Sequence, residues 1–194
     1  MVVSAINEHL TGEWEVPICD TCTVAPGTWC FALWCPCVLA FTQRKQLLDI
    51  TGEPYVCCGG LFPYGPCKQE WSVSPWLCLE SVCCLFPAVL GNRFIVQTRF
   101  DRKNTDLDNF VLGAAGGAAV VSACSRDQNT RSAGDLIQGC VTACLLTQQQ
   151  LEIDRIQTNP NFVYAGIPEK VKSFMPAIVL DVPKQQSMTP LDLP

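Results

Sequence analysis

The stretch CPCVLAFTQRKQLLDI at residues 35–50 is the segment of the chain that most clearly predicts a regular structure. Pro36 directly follows Cys35, and proline is favoured in the first turn of a helix because its missing N–H is not needed there. Gly52 comes just after the last apolar residues, and glycine is the usual residue beyond a helix end. We therefore predict a helix over residues 35–50.

Three more helices are predicted towards the C-terminus, at residues 75–101, 107–124 and 135–156. The first should be kinked near Pro87, because proline inside a helix removes a backbone hydrogen bond. The second should begin at a cap formed by Thr105, with Asp108 three residues later. Residues 14–35 are expected to be irregular, and residues 52–75 are expected to form a long loop rich in glycine and proline.

The predicted fold class is mainly α. We expect a small cysteine-rich helical domain of four or so helices, with irregular loops rich in cysteine, glycine and proline and an extended C-terminal tail. Residues 1–13 are interpreted as a flexible lead-in, residues 14–157 as the cysteine-rich domain, and residues 158–194 as the proline-rich tail.

Composition argues against several classes of function. The net charge is −5, whereas nucleic-acid binding needs clustered Lys and Arg, so no nucleic-acid partner is expected. Charged residues make up 16% of the chain, below the roughly 25% of soluble domains, which favours a membrane or a large partner surface. His9 is the single histidine and no phosphate-binding glycine motif occurs, so no enzyme is expected.

The start of the chain and its cysteines bear on location. The N-terminus has neither a basic start nor a continuous apolar core, so we expect an intracellular protein, cytoplasmic or attached to a cytoskeletal or membrane structure. The 14 cysteines would then be reduced thiols. A second group of them could carry acyl anchors or simply fill the core. These are Cys57, Cys58, Cys67, Cys83 and Cys84.

Zinc is the one cofactor that the cysteine spacing suggests. The first pair has the C-x2-C spacing of half a tetrahedral site, and either of two later pairs could complete it. An all-thiolate set would favour zinc or another soft metal, whereas the alternative is that these are buried or surface thiols. The candidate ligands are Cys19, Cys22, Cys35, Cys37, Cys140 and Cys144.

The apolar stretches at residues 28–41, 76–90 and 110–124 are shorter than the roughly 20 residues of a membrane span. They are interpreted first as buried helices and second as membrane-inserted hairpins. Gly113 and Gly117 would allow close approach of another helix in either setting.

The tail contains prolines at regular intervals, which forbid a long helix and favour an extended path. Apolar side chains lie between the prolines and cannot form a core of their own. The tail is therefore either disordered or a strap that becomes ordered on a partner. The candidate partner-binding residues are Phe162, Tyr164, Phe174, Ile178 and Leu180.

A second segment, CVTACLLTQQQLEIDRI at residues 140–156, is similar to residues 35–50. Cys35 and Cys140 each lie seven residues before a Thr-Gln pair. We interpret this similarity as two helices that pack together.

The run Cys30-FALW-Cys35-Pro36-Cys37, followed by Gln43, resembles the signature of the placenta-specific-eight family. That family includes onzin, the plant cell-number regulators and the plant cadmium-resistance proteins. The stretch NRFIVQTRF and the later helix that carries Gln148 are similar to the second half of the family pattern. The resemblance covers roughly residues 14–157, and it implies membrane association and an effect on metal export in some relatives.

Two functional hypotheses follow. The leading one is a non-enzymatic structural or interaction protein that docks on a larger protein assembly or a membrane surface through its loop and tail. The alternative is a membrane-associated metal-handling protein, for zinc or cadmium, that uses its cysteine clusters.

Overall fold

The computed structural model describes residues 6–61, 73–159, 162, 164 and 166–173. This part of the chain is mainly helical and contains no β-strand, only an isolated bridge between Gly12 and Arg102. Two short 3-10 turns occur at Ile18–Asp20 and Cys57–Gly60. The α-helices are α1 (Thr21–Val24), α2 (Pro26–Trp34), α3 (Pro36–Thr51), α4 (Val73–Cys83), α5 (Leu85–Phe100), α6 (Asp106–Cys124), α7 (Gln128–Thr158) and α8 (Glu169–Lys172).

A ring of three amide side chains joins α3, α5 and α7 at the centre of the molecule. Each amide donates a hydrogen bond to a backbone carbonyl of the next helix, and each donor lies three residues after the carbonyl that its own helix offers. The bonds run from Gln43 to Leu146 (2.6 Å), from Gln149 to Val89 (3.2 Å) and from Asn92 to Ala40 (2.9 Å). We call Gln43, Asn92 and Gln149 the amide layer.

Apolar clusters lie on either side of the amide layer. Towards the helix N-termini, Ala40, Val89 and Leu146 belong to one cluster, which we call the upper core. Towards the C-termini, a second cluster, the lower core, contains one fully buried residue from each helix. These are Leu47, Val96 and Ile153. The three helices therefore run parallel and in register, which confirms the predicted packing of residues 35–50 against residues 140–156.

The helices predicted from strong local signals are confirmed. Pro36 is in the first turn of α3, and Gly52 ends that helix with a left-handed φ of 67°. Thr105 and Asp108 form a reciprocal capping box at the start of α6.

Other predictions of local structure were wrong. The expected irregular segment 14–35 contains α1 and α2, and Pro26 begins α2 in the same way that Pro36 begins α3. The kink expected near Pro87 is instead a 115° bend between α4 and α5. It lies before Pro87 because that proline is accommodated in the first turn of α5. The last long helix starts at Gln128, not at 135, because Asp127 caps it.

Residues 6–13 lie against the core, although the sequence assigns them to a lead-in outside the domain. Ile6 and Leu10 are 2% exposed and pack in a small cluster with Phe94. Gly12 exchanges backbone hydrogen bonds with the turn after α5, at Asp101 and Lys103. Burial of these apolar side chains explains why this segment packs as part of the domain.

The described part of the predicted tail also contacts the domain. Phe162 and Tyr164 pack edge-to-face on Phe100, and Val171 of α8 is fully buried. The candidate tail residues Phe174, Ile178 and Leu180 lie outside the described residues, as does loop segment 62–72 with Cys67.

Candidate functional site

A buried arginine joins α3, α4 and α5 beside the amide layer. Arg44 Nη2 lies 3.3 Å from Glu80 Oε1, and both side chains are nearly inaccessible to solvent. Arg44 Nε also donates to Asn92 Oδ1, and its remaining groups donate to the carbonyls of Val56 and Ala88. A charge removed from water in this way is tolerated only when it is paired and hydrogen-bonded, as Arg44 is.

Glu80 is held by three donors. Oε2 accepts hydrogen bonds from the Tyr55 hydroxyl and from the backbone N–H of Cys58, while Oε1 faces Arg44. Burial, and then the hydrogen bond to Glu80, raise the pKa of Tyr55 far above its ordinary value. Tyr55 therefore remains a protonated donor, and Glu80 is kept in one orientation.

Two other buried arginines stabilise the lower half of the bundle. Arg93 donates to Asn104 and Gln148, pairs with Asp108 at 3.5 Å and lies 4.3 Å above the ring of Trp14.

Arg99 pairs with Glu53 at 2.7 Å, and Glu53 also accepts a hydrogen bond from Tyr164. Burial, followed by the nearby charge of Glu53, raises the pKa of Tyr164. These contacts stabilise the fold. The buried ion pairs of Arg93 and Arg99 both lie in the lower half of the bundle.

One group of potential metal ligands comes together within the described residues: Cys57, Cys58 and Glu80. One ligand atom from each lies within 4.8 Å of the other two, and the two sulfur atoms are 3.7 Å apart. Cys58 has a left-handed φ of 50°, which is unusual for a residue with a side chain. The long loop predicted at 52–75 therefore begins with a compact turn over α5.

The six thiols predicted as zinc ligands do not meet in this structure. No three of them satisfy the same distance test among the described residues. Cys19 and Cys22 are exposed beside α1, and Cys144 accepts a hydrogen bond from Trp29 in the upper core. The tetrahedral site that these pairs suggested stays a prediction, because sequence spacing does not determine which helix ends converge.

Most residues of the family motif lie at the start of α3 or beside the amide layer. Cys35 caps α3, Pro36 and Cys37 form its first turn, and Cys30 is exposed on α2. Gln43 belongs to the amide layer. Gln148 lies beside that layer, accepting from Arg93 and donating to the Val16 carbonyl.

The sequence analysis did not identify Asn92 and Gln149. The signal that could have identified them is an amide side chain three residues after a buried apolar residue, which occurs on each of α3, α5 and α7.

The thiols considered as acylation sites divide by exposure. Cys58 is 5% exposed and lies in the core, as the core-filling interpretation expected. Cys83 and Cys84 are exposed at the bend between α4 and α5.

Large apolar side chains are exposed around the upper core. Trp34 is 82% exposed and Phe110 is 72% exposed, although each adjoins residues that pack in that core. A cavity of about 240 Å³ lined by parts of α2, α5 and α7 shows that these helices meet at the surface. We call this region the apolar surface. Its main residues are Phe31, Trp34, Val82, Phe110, Val121 and Ile137.

The same part of the chain lacks charge. Residues 21–43, 81–92, 109–125 and 136–151 contain no Asp, Glu, Lys or Arg. All six residues of the apolar surface lie in these four segments. The buried ion pairs, by contrast, lie beside and below the amide layer. Exposed charged residues occur again at the far end of the α6–α7 pair, at Arg131 and Asp135, so the apolar surface lies between two charged regions.

Within the described residues, α6 is long and apolar enough to cross a membrane, and α4 with α5 would count as a second span if the bent pair acts as one. A core helix of a soluble protein can pass the same test, but such a helix is mostly buried. Only 17% of the apolar window of α6 is buried. The interpretation of residues 110–124 as a buried helix was therefore wrong.

No protein-family model matches this chain, and no curated protein or solved structure matches it.

Proposed function

We propose that this protein is a non-enzymatic interaction protein that docks on a lipid bilayer by inserting its apolar surface. The observation that carries the proposal is the exposure of α6, which has no charged residue from 109 to 124 and of which 17% of the apolar window is buried. Monomeric soluble proteins rarely expose large contiguous apolar areas, and such areas mark protein or membrane contacts.

A bilayer fits this surface better than a single protein partner. The exposed positions of α6 lie along one side of the helix and include Phe110, Gly113, Ala114 and Val121. The other side of α6 packs on α7, so a bilayer is favoured by the breadth of the apolar surface, which extends beyond α6 onto other helices. Uncharged segments on α2, α5 and α7 extend the same surface.

The opposite half of the molecule has the properties of the water-facing part. Exposed charged groups occur there at Asp49, Asp154 and Arg155, near the lower core. The buried ion pairs of Arg93 and Arg99 keep that half internally neutral. In the proposed orientation, the N-terminal halves of α3 and α5 and the uncharged segment 136–151 of α7 enter the lipid.

A flotation experiment tests this function. The full chain, reconstituted into neutral phosphatidylcholine vesicles, should float with the vesicles in a density gradient, and high salt should not release it, because the contact is apolar. Phe110→Lys with Val121→Lys should leave much of the protein at the bottom. The matched control, Asp49→Lys with Gln157→Lys, places two lysines on exposed positions of the other half and should still float.

The proposal has clear contrary outcomes. Release of the wild-type chain by salt would indicate a charge-driven contact and would contradict insertion. A chain that is soluble and monomeric without detergent, and does not float, would also contradict it. Circular dichroism of both double variants checks that they keep their helices.

Two earlier expectations stay predictions. Docking on a protein assembly through the loop and tail depends largely on residues outside the described ranges. Membership of the placenta-specific-eight family rests on the motif at Cys30–Cys37 and on the looser similarity of NRFIVQTRF and the helix that carries Gln148.

A further inference from the structure

We propose that Cys57, Cys58 and Glu80 form a binding site for one thiophilic divalent cation of the zinc type. This inference is independent of membrane docking. It concerns residues that the spacing of the cysteines did not identify, at a place where the fold brings the 3-10 turn Cys57–Gly60 against α4 and α5.

The first argument is the distance between the sulfur atoms. Zinc–sulfur bonds of about 2.3 Å at a tetrahedral angle place two sulfurs about 3.8 Å apart. Cys57 Sγ and Cys58 Sγ are 3.7 Å apart. The carboxylate of Glu80 lies within 4.8 Å of both, which allows it to supply the oxygen ligand.

The second argument is charge balance. Glu80 and Arg44 already neutralise each other in the buried site. When both thiols lose their protons to solvent, the two thiolates carry a charge of −2 that a divalent cation matches. Ligand deprotonation on metal binding is the normal chemistry of such sites. A monovalent cation would leave an uncompensated buried charge, which is costly.

The third argument is the support around the carboxylate. An ionised carboxylate has about four lone-pair positions. The Tyr55 hydroxyl, the Cys58 N–H and Arg44 Nη2 occupy three of those on Glu80. Such partners fix a metal-ligating carboxylate in orientation, and their loss typically weakens metal binding.

The fourth argument is the rigidity of the turn. Cys58, Gly59 and Gly60 have consecutive positive φ values of 50°, 63° and 80°. A side chain in this region costs energy and persists only when the surroundings hold it. Gly91 on α5 holds it closely, because a Cβ there would lie 2.6 Å from the Cys58 carbonyl. The backbone of this turn therefore holds the Cys57 and Cys58 thiols close to each other.

Three protein ligands leave one tetrahedral position open for water or another donor. The two thiolates favour zinc and cadmium over magnesium or calcium, which prefer oxygen ligands alone.

The test uses the full chain in detergent, treated with a chelator, dialysed and titrated with zinc ions alone. About one equivalent should bind with Cys57 and Cys58 intact. Cys57→Ser with Cys58→Ser should lose that equivalent, whereas Cys83→Ser with Cys84→Ser should keep it. The second pair is the matched control, because it is also vicinal but exposed and outside the Glu80 cluster.

A measurement on the unmodified chain removes any dependence on the folding of the variants. Bound zinc should slow alkylation of the peptide that carries Cys57 and Cys58, while alkylation of the peptide with Cys83 and Cys84 stays unchanged. Cobalt in place of zinc should give sulfur-to-metal charge-transfer absorption. Less than about half an equivalent of zinc, or equal protection of both peptides, would overturn the proposal.

Discussion

Asn92 on α5 donates a hydrogen bond to the backbone carbonyl of Ala40 on α3, 2.9 Å away, and through its other amide atom accepts one from Arg44. One side chain thus ties two parallel helices together and satisfies a buried cation. Gln43 and Gln149 complete the ring, but their Oε1 atoms have no hydrogen-bond partner among the residues that the structure describes. The three amides therefore carry unequal shares of the stability of the bundle.

Substitution of Asn92 should cost far more than substitution of Gln43. Asn92→Leu removes the bond to Ala40 and leaves the buried Arg44 Nε without its acceptor, so we expect a loss of about 3 kcal/mol in the free energy of unfolding. Gln43→Met keeps the length of the side chain and loses one neutral hydrogen bond, to Leu146, but it also removes a buried oxygen without a partner, so its cost should stay near or below about 1 kcal/mol. Denaturant unfolding followed by circular dichroism measures both, and equal losses would contradict the unequal roles.

Removing one partner of the Arg44–Glu80 ion pair should lower the free energy of unfolding strongly, whereas replacing both partners with apolar residues should lower it less. Arg44→Met leaves Glu80 as a buried charge without its counter-charge, for which we expect a loss of about 3–5 kcal/mol. Arg44→Met with Glu80→Met should recover part of it, since no buried charge remains. The exposed pair of Arg155 and Glu15 is the control: Glu15→Gln should change the free energy of unfolding by less than about 1 kcal/mol.

These measurements should be made with a chelator present, so that a bound cation does not contribute. A double variant that is no more stable than Arg44→Met alone would show that the contacts of Arg44 to Asn92 and to backbone carbonyls, not its charge pairing, dominate.

Local signals in the sequence predicted the elements whose ends are determined locally. The ends of α3 are determined by Pro36 and Gly52, and the start of α6 by Thr105 and Asp108. Each of these residues lies at the helix end that it determines, so these ends could be predicted from the sequence. Pro26-Gly27 carried a signal that fits a turn or a helix start equally well, and α2 was missed for that reason.

The candidate sites depend on contacts that no local pattern contains. Arg44 and Asn92 meet because α3 and α5 run parallel, and Glu80 reaches Cys58 only because α4 turns back at Cys84. The exposed apolar surface was suggested by composition alone, through the low share of charged residues. Its position could not be predicted, because the same uncharged segments fit a buried core equally well.

At low pH, residues 6–13 and α8 should both detach from the domain, because both are held by the carboxylate of Asp101. Burial alone would raise the pKa of Asp101, but hydrogen bonds from Lys170 and Thr11 outweigh it and hold the pKa below the ordinary 3.8. A carboxyl with a lowered pKa contributes stability that is present above its unfolded value and lost as pH falls through its folded value. Contacts of residues 6–13 and α8 should therefore weaken below about pH 4.

Hydrogen exchange of these two segments, corrected for the intrinsic rate at each pH, measures that release. Asp101→Asn keeps the left-handed backbone that asparagine tolerates, and it should make exchange in both segments fast at neutral pH as well. The start of α7, where Asp127 also has a lowered pKa, should be unaffected by this substitution. Release of α7 together with residues 6–13 would instead indicate global unfolding.

Two glycines on successive helices, α5 and α6, should respond in opposite directions to the same substitution. A Cβ at Gly91 would lie 2.6 Å from Arg44 Nη2 and from the Cys58 carbonyl, so Gly91→Ala forces the turn away from α5 and should cost about 1–3 kcal/mol. A Cβ at Gly113 meets nothing within 4 Å, so Gly113→Ala should gain up to about 1 kcal/mol through helix propensity. Thermal unfolding in detergent compares the two with the wild type. Unchanged stability in Gly91→Ala would show that the Cys57–Gly60 turn moves without cost, and a loss in Gly113→Ala would point to a helix packed on the open face of α6.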